Sequence, residues 1–504
     1  MQIQLSTAPL NSLETGALAV IVPQREPRLS GPLAELDRAT NGRIGELVKA
    51  GEISGRFAEM TLLHQPPGLA AGRLLIVGGG MRDCGPYEMR RLAGAAARHL
   101  AAKGVRQMVW AVPAGAAPAA ALIAASIEGV IAGQFETARY KQEPAPARRL
   151  EHLTLHSAST GPEAEAAIAR GEAIGEAINL ARELANEPGN RMTPRLLAER
   201  ARQMAESAGL ECDIIDENRA RELKMEAFLA VAQGSAEPPR MIVLRYRGVG
   251  ARPGAPVLGL VGKGITFDTG GISIKPADGM EKMKYDMSGG AGMIAVMRAL
   301  ARLRPALEVI AVIPAAENMP GGRAQKPGDV QIAMSGKSIE VLNTDAEGRM
   351  VLADGLTYAR QLGATHLLDA ATLTGAVAVA LGTVNAGVFA NDDAFYADFE
   401  SARARAGEKM WRLPLDEEYA DQIQGTVGDL LNTGGRWGGA ITAAEFLHAF
   451  AETTPWIHLD IAGLAWLDEG KPWMPKGPSG VGVATLVELA LLWAERQAGA
   501  AGMI

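Results

Sequence analysis

The seven residues NTDAEGR at positions 343–349 place two carboxylates and an arginine on alternate positions. These side chains are Asp345, Glu347 and Arg349, and the partly β-branched segment 338–341 precedes them. In extended backbone all three point to one side, whereas in a helix Asp345 and Glu347 lie on nearly opposite faces. Carboxylates that converge beside an arginine hold a hard cation or move protons. Taken alone, the segment is equally consistent with a polar turn whose charges are solvated.

A second segment, 261–276, combines four glycines within ten residues with Lys263, Asp268 and Lys275. Glycines at this density indicate a backbone that runs close to another group. The segment follows an apolar strand signal, and α/β sheets present their ligands at such strand ends. Asp286 comes next, at or just before the start of a predicted helix.

The two segments and Asp286 together supply four carboxylates. Carboxylates that crowd together raise one another's pKa unless cations lie between them. Two divalent metal ions bridged by these groups would remove the repulsion, and two-metal sites are established in hydrolysis. The alternative is that each charge lies separately on the surface, which fits poorly with glycine-flanked positions at strand ends.

Other catalytic patterns fail in this sequence. Positions 336–338 end like a phosphate-binding loop, but Gln331 stands where the motif requires glycine. Neither an HExxH motif nor a GxSxG elbow is present. The histidines in apolar stretches are expected to be hydrogen-bonded core residues; they are His366, His448 and His458.

The length of 504 residues predicts roughly two to four domains. The net charge of −7 offers no general electrostatic footprint for nucleic acid. Cys84 and Cys212 lie far apart and outside any CxxC motif, so neither a disulfide framework nor a thiolate metal site is expected. The start lacks the features of a signal peptide, and the longest apolar stretch is too short and too interrupted to span a membrane. These features predict a cytoplasmic protein.

Alternating strand and helix signals predict an α/β fold with helices on both faces of a sheet. Strands are predicted at 17–22, 74–77, 108–112, 153–155, 242–246, 257–261, 308–313, 339–342, 366–369 and 457–461. Helices are predicted at 88–103, 116–132, 163–185, 293–303, 348–361, 443–451 and 484–496. We expect an N-terminal α/β domain over 1–157, a linker and connecting helix over 158–190, and a catalytic domain over 191–504.

Segment 343–349 is identical to the signature of the leucyl aminopeptidase family, the di-metal cytosol aminopeptidases of peptidase family M17. The resemblance extends to segments 186–194, 261–276, 283–292 and 372–375, and it covers at least residues 180–465. Segment 1–157 is similar to the variable N-terminal domain of the family, mostly in its layout. The resemblance implies a smaller, macro-like α/β domain followed by a larger catalytic α/β domain with a mixed sheet covered by helices. Gly290 departs from the family, which more often has alanine there, and is not expected to touch a ligand.

The resemblance implies a role for each matching position. The tighter metal site would consist of Lys263, Asp268, Asp286 and Glu347, and the more exchangeable site of Asp268, Asp345 and Glu347. Lys263 must then be neutral, because an ammonium group has no lone pair for a metal.

Two further positions would carry the chemistry. Lys275 would stabilise the oxyanion, and Arg349 would hold a bicarbonate ion that serves as the general base. Substrate would contact a set of residues around the first side-chain pocket, namely Met283, Asn343, Thr372, Leu373 and Gly375. Met283 fits a core position equally well.

The implied cofactors are two divalent ions per subunit together with bicarbonate. Oxygen ligands plus one amine permit zinc, manganese, cobalt or magnesium, and the resemblance favours zinc in the tighter site, with manganese often substituting in the other. The implied assembly is a homohexamer of two trimers, with no membrane partner. The implied reaction removes the N-terminal residue, preferably leucine- or methionine-like, from peptides with a free N-terminus. Open alternatives are a dipeptidase for cysteinylglycine-type substrates and a DNA-binding or structural role of the hexamer, which the acidic balance disfavours.

Overall fold

The computed structural model describes residues 1–24, 29, 31–113, 117–142, 148–252 and 254–499. The chain divides into two compact units. Unit 1 comprises Met1–Asn179, Arg405–Gly407 and Asp468–Lys476, and unit 2 comprises Leu180–Ala404, Glu408–Leu467 and Gly477–Ile504. Both units are α/β, so the predicted fold class is confirmed. The predicted domain boundaries stay a prediction.

Unit 1 contains a six-stranded sheet in the order β1-β6-β5-β2-β4-β3, parallel except for the edge strand β3. Its strands are β1 Gln2–Ser6, β2 Ala17–Pro23, β3 Met60–His64, β4 Arg73–Gly80, β5 Gln107–Ala111 and β6 His152–His156. Its helices are α1 Pro32–Ala39, α2 Arg43–Lys49, α3 Pro86–Ala102 and α4 Ala119–Gly133, followed by α5, Pro162–Asn186, which continues into unit 2. Strand β2 is apolar throughout and β4 is apolar after Arg73, because strands inside a mostly parallel sheet are buried on both faces.

Unit 2 contains a mixed nine-stranded sheet in the order β16-β15-β18-β14-β9-β11-β8-β7, with β10 paired to β11. The strands, including those of two smaller sheets, are β7 Glu211–Ile215, β8 Arg240–Arg247, β9 Val257–Gly262, β10 Gly264–Asp268, β11 Glu308–Asn318, β12 Val330–Ile332, β13 Ser338–Glu340, β14 His366–Ala371, β15 Ala386–Ala390, β16 Met410–Arg412, β17 Leu430–Leu431, β18 Trp456–Asp460, β19 Trp466–Leu467 and β20 Gly477–Pro478. The helices are α6 Pro194–Ala208, α7 Glu217–Glu222, α8 Glu226–Ala232, α9 Ser288–Leu303, α10 Glu347–Gln361, α11 Gly375–Leu381, α12 Asp393–Ala406, α13 Glu417–Ala420, α14 Gly439–Ala451 and α15 Val483–Gly499.

The centre of this sheet positions the candidate site. Strands β10, β11, β9, β14 and β18 run parallel, so their carboxyl ends lie at one edge of the sheet. Helix α10 packs against this core through a face of fully buried side chains such as Met350, Leu352 and Leu356. The loops that follow the parallel strands therefore meet above the sheet, where α/β folds bind their ligands.

The strong periodic signals are confirmed, since each strand and helix predicted from them has a counterpart in the structure. The predicted start of one helix at position 116 lies outside the described residues, and the described part of that helix begins at Ala119. The extended conformation considered for segment 343–349 is wrong. Asp345 lies in a turn, whereas Glu347 and Arg349 lie in the first turn of α10.

Within the described part of the chain, no helix is long and apolar enough to cross a membrane.

Candidate active site

Each chemically distinctive side chain lies at a strand end or a helix start. Lys263 directly follows β9, and Asp268 is the last residue of β10. Asp286 lies in a 3-10 helix, Met280–Met287, immediately before α9, as the sequence predicts. Glu347 opens α10. The segments that carry these residues are distant in sequence, and the sheet brings them together.

The deepest part of the site is a buried cluster around Lys263. Its Nζ lies 2.7 Å from Asp286 Oδ2 and 2.8 Å from Glu347 Oε1. It also donates a hydrogen bond of 3.1 Å to the main-chain oxygen of Thr372. Carboxylate oxygens of Asp268, Asp286 and Glu347 all lie within 4.8 Å of one another.

A second ion-pair group lies beside this cluster and is partly exposed. The ammonium of Lys275 lies 2.8 Å from Asp268 Oδ2 and 2.5 Å from Asp345 Oδ1. Gly270 has a φ of +86°, and a Cβ there would lie 2.9 Å from Asp345 Oδ1. The dense glycines of this segment therefore allow the close approach that the sequence predicts.

Asn318, the last residue of β11, joins the carboxylates to one another. Its Nδ2 donates hydrogen bonds of 2.8 Å to Asp268 Oδ1, 3.0 Å to the oxygen of Thr344 and 3.4 Å to Glu347 Oε2. It is buried and fixes three parts of the site at once. Asn318 was not predicted from the sequence, although a polar residue at the end of a buried strand is the signal that identified Asp268.

Arg349 is buried at the side of the cavity and is held by Asn432. Its NH1 donates a 2.8 Å hydrogen bond to the main-chain oxygen of Asn432, while its Nε is buried and has no partner in the described structure. The side chain of Asn432 accepts from the Leu342 amide at 2.8 Å and donates to the Asn343 oxygen at 2.7 Å. Asn432 therefore ties the signature loop to Arg349.

Asp460, the last residue of β18, anchors the loop that follows β14. Its carboxylate accepts a 2.6 Å hydrogen bond from the Thr374 hydroxyl, and further bonds from the main-chain amides of Leu373, Thr374 and Ala462. In the same loop, Thr372 Oγ1 donates a 2.7 Å hydrogen bond to Asp286 Oδ1. The loop was predicted from the sequence to contribute to the site, but the carboxylate that holds it was not.

Burial and charge shift the pKa values of these groups. Burial opposes the charge of Lys263, but the surrounding carboxylates outweigh this effect and raise its pKa above the usual value. Burial, followed by repulsion from Asp268, raises the pKa of Glu347. Burial lowers the pKa of Arg349 to about 10. The site thus contains four carboxylates but only two ammonium groups. The negative charge that the ammonium groups do not balance is unfavourable in this buried space.

A cavity of about 480 Å³ opens onto these residues. Its lining contains almost every site residue predicted from the sequence: Lys263, Asp268, Lys275, Met283, Asp286, Asn343, Asp345, Arg349, Thr372, Leu373 and Gly375. Glu347 lies behind it, in contact with Lys263. Lining residues that the sequence analysis missed include Tyr285, Thr433 and Arg436.

The donor set suits divalent metal ions. Three buried carboxylates converge within 4.8 Å, and oxygen ligands of this kind bind hard and borderline cations. Asp286 Oδ2 and Asp345 Oδ1 are buried, and the positive group beside each is an ammonium, that of Lys263 at 2.7 Å and that of Lys275 at 2.5 Å. A metal ion would replace or join these ammonium groups as the balancing positive charge.

Gly290 supports the backbone of a proposed metal ligand. Its amide donates a 2.7 Å hydrogen bond to the main-chain oxygen of Lys263. The contact arises because α9 begins directly against the end of β9. Gly290 therefore helps to hold the Lys263 backbone without contributing a donor to the cluster.

Comparison with known protein families gives two matches. The model of the cytosol aminopeptidase family, catalytic domain, matches residues 179–487, and that of the N-terminal domain of the same family matches residues 21–144.

A probable cytosol aminopeptidase from Solibacter usitatus is 53% identical over 498 residues, covering 98% of this chain and 100% of that protein. One from Koribacter versatilis is 51% identical over 514 residues, covering 97% and 99%.

Solved structures agree with the sequence comparisons. A mutant of tomato leucine aminopeptidase has a TM-score of 0.89 and 35% identity, covering 97% of this chain and 96% of that one. The bottromycin maturation enzyme BotP in complex with Mn has a TM-score of 0.83 and 34% identity, covering 95% and 100%. The chain therefore belongs to the cytosol aminopeptidase family, peptidase family M17, and is an aminopeptidase.

Proposed function

We propose that the chain is a di-metal aminopeptidase that releases the first residue, preferably leucine- or methionine-like, from peptides with a free N-terminus. The observation that carries the proposal is the convergence of the Asp268, Asp286 and Glu347 carboxylates within 4.8 Å beside Lys263. The manganese in the BotP complex supports divalent metal at this site. Zinc and manganese are the ions we propose first, with cobalt and magnesium as possible substitutes.

We assign the tighter metal position to Lys263, Asp268, Asp286 and Glu347, and the more exchangeable one to Asp268, Asp345 and Glu347. Lys263 would bind as a neutral amine, so metal binding would displace the proton that its carboxylate neighbours now retain. When bound, divalent ions polarise a carbonyl group and lower the pKa of a coordinated water molecule. Asn318 keeps two carboxylates of the set in position for this chemistry through its hydrogen bonds with Asp268 and Glu347.

Lys275 is the group we propose for stabilising the oxyanion. It lines the cavity and is partly exposed. Burial opposes its charge, but the surrounding carboxylates, Asp268 first, outweigh burial and raise its pKa, so Lys275 stays charged. A fixed ammonium at the developing negative charge lowers the barrier of acyl transfer.

Arg349 is the group we propose for holding bicarbonate, which would act as the general base. The buried Nε of Arg349 has no partner in the described structure and suits an anion. The guanidinium itself cannot accept the proton, because it remains protonated even with a pKa lowered to about 10. Its contribution is to position the base, and Asn432 fixes its orientation.

The first side-chain pocket is proposed at Met283, Thr372, Leu373 and Gly375, with Asn343 on the opposite loop. All five line the cavity. A methionine beside small residues adapts its shape to unbranched and γ-branched apolar side chains. Met283 lines the cavity, which favours this role over the core position considered from the sequence.

The test is hydrolysis of leucine amide by purified protein, measured together with bound metal, with and without a chelator. Activity should require metal and return when metal is restored. Asp286→Asn and Glu347→Gln should lose metal and activity together, while Asp398→Asn, a matched change elsewhere in unit 2, should lose neither. Folded, metal-loaded protein that releases no leucine would contradict the proposal, and so would equal cleavage of acetylated peptides.

A further inference from the structure

Arg436 differs from the other cationic side chains that line the cavity. Lys263 and Lys275 are ion-paired to carboxylates, and Arg349 donates to a main-chain oxygen. Arg436 is exposed, and its guanidinium carbon lies 5.3 Å from the ring centroid of Trp437. No carboxylate in the described part of the chain lies within ion-pair distance of it. Its charge is therefore available to a ligand in the cavity.

The start of α14 adds to the positive potential at this position. Gly439, the first residue of the helix, also lines the cavity. The preceding residue, Gly438, has a φ of +60° and no side chain that could cap the helix, and the first turn carries no acidic residue. The Ile441 and Thr442 amides donate to the Gly438 oxygen. Because neither a capping side chain nor an acidic residue offsets it, the partial positive charge of the helix start favours an anion.

The cavity consequently has a charge polarity from floor to mouth. The lining carboxylates Asp268 and Asp286 are buried at its floor, whereas the lining residue Arg436 is exposed. The proposed reaction places the N-terminal residue of the peptide at the metal-binding carboxylates, so the leaving portion extends toward the exposed part of the cavity. A carboxylate on the part of the peptide that leaves after hydrolysis belongs with Arg436. The volume of about 480 Å³ is that of a site for a small ligand and suits a short peptide.

We propose that Arg436, assisted by the α14 N-terminus, recognises a carboxylate on the leaving portion of the substrate, and that the enzyme thereby prefers short peptides with a free C-terminus. The proposal rests on the aminopeptidase function proposed above and names its substrate class. The carboxylate has two possible sources, the C-terminus of a di- or tripeptide and an acidic side chain next to the scissile bond. Both place the same chemical group near Arg436.

The experiment compares kcat/KM for Leu-Ala with that for Leu-Ala-amide in the metal-loaded wild type and in Arg436→Gln. The quantity compared is the kcat/KM for Leu-Ala divided by that for Leu-Ala-amide. We expect this ratio to be about threefold to tenfold higher in the wild type than in Arg436→Gln, the range of a charge-assisted contact at a partly exposed site. Comparing the two ratios cancels any effect of the amide on the substrate itself. The excess should shrink at high salt, because the contact is exposed.

Two further comparisons complete the test. The kcat/KM for Leu-Glu-amide, compared with that for Leu-Gln-amide, tests whether a side-chain carboxylate is recognised. The comparison of Leu-Ala with Leu-Ala-amide tests whether a C-terminal carboxylate is recognised. Arg323→Gln, an exposed arginine at a different cavity of unit 2, should keep the wild-type ratios. Equal ratios in wild type and Arg436→Gln for both pairs would overturn the inference while leaving the aminopeptidase function intact. If no substrate is cleaved by the metal-loaded wild type, the proposed function itself fails.

Discussion

Lys263 Nζ lies 2.8 Å from Glu347 Oε1, and both side chains are buried. The residue after Glu347 makes this approach possible. A Cβ at Gly348 would lie 2.7 Å from Lys263 Cε and 2.8 Å from its Nζ. Gly348, in segment 343–349, therefore leaves room for the side chain of Lys263, which belongs to segment 261–276.

Replacing Gly348 with alanine should displace the Lys263 side chain. Because two ion pairs hold that side chain, it cannot move without weakening the cluster, so Gly348→Ala should bind the tighter metal less firmly and lose most activity. Metal titration and leucine-amide hydrolysis measure both effects. Gly322→Ala, at a position where a Cβ would meet nothing within 4 Å, is the control. Unchanged metal affinity in Gly348→Ala would show that Lys263 is not a ligand.

Arg349→Ala should keep both metal ions and the fold while turnover falls. If Arg349 only positions a base, the loss should be about 10² to 10⁴ or less, the usual contribution of general-base catalysis. Bicarbonate added to carbonate-free wild type should raise turnover, and the variant should respond far less. Arg360→Ala removes an arginine from the same helix that pairs with Glu452, and it should behave like wild type. A metal-deficient Arg349→Ala would instead assign this arginine a structural role.

Asp460→Asn should alter substrate binding more than metal binding. The carboxylate gathers donors from the loop that carries Thr372 and Gly375, so weakening it should loosen the proposed first side-chain pocket. We expect kcat/KM for leucine amide to fall about tenfold, mainly through KM, because a bond to a charged group contributes roughly 1.5–3 kcal/mol. Metal content should stay at the wild-type value. Metal loss would place Asp460 in support of the metal ligands instead.

Asp354 should make stability depend on pH. It is fully buried in α10 and accepts hydrogen bonds from the amides of Phe228 and Met334 at 2.8 and 2.7 Å. Burial raises its pKa to about 7, above the value of about 3.9 in an unfolded chain. Its contribution to stability is therefore full below pH 4 and is lost as pH rises through 7.

Thermal unfolding between pH 5.5 and 8 tests this expectation. As pH rises, the thermal unfolding midpoint of the wild type should fall relative to that of Asp354→Asn. The reason is that Asp354 loses a proton over this range, whereas asparagine does not titrate. Asp354→Asn should be less stable than wild type at pH 5.5, since its amide group faces a main-chain N–H donor. Parallel curves for the two proteins would mean that Asp354 is ionised throughout this range.

The features that could be predicted from the sequence are those whose pattern lies within a single segment of the chain. Strand β9 is a continuous apolar run and β14 and β18 are mostly apolar, while residues 343–349 carry their chemistry in one stretch. Strand β10 escaped prediction because its surroundings read as a glycine-rich loop. Asn432 carried no signal, because its importance lies in contacts with residues about 90 positions away. Such pairings depend on the topology of the sheet, and local propensity does not encode them.

The parallel strand ends have a consequence for how the protein matures. The proposed metal ligands are spread from position 263 to position 347 and meet only when β9, β10 and β11 have paired and α10 has docked. Pairings over such sequence separations form late, because the loops between them must close first. A chain with an incomplete sheet would have no place to hold the ions. Metal content per chain would therefore measure the fraction of a preparation that has finished folding.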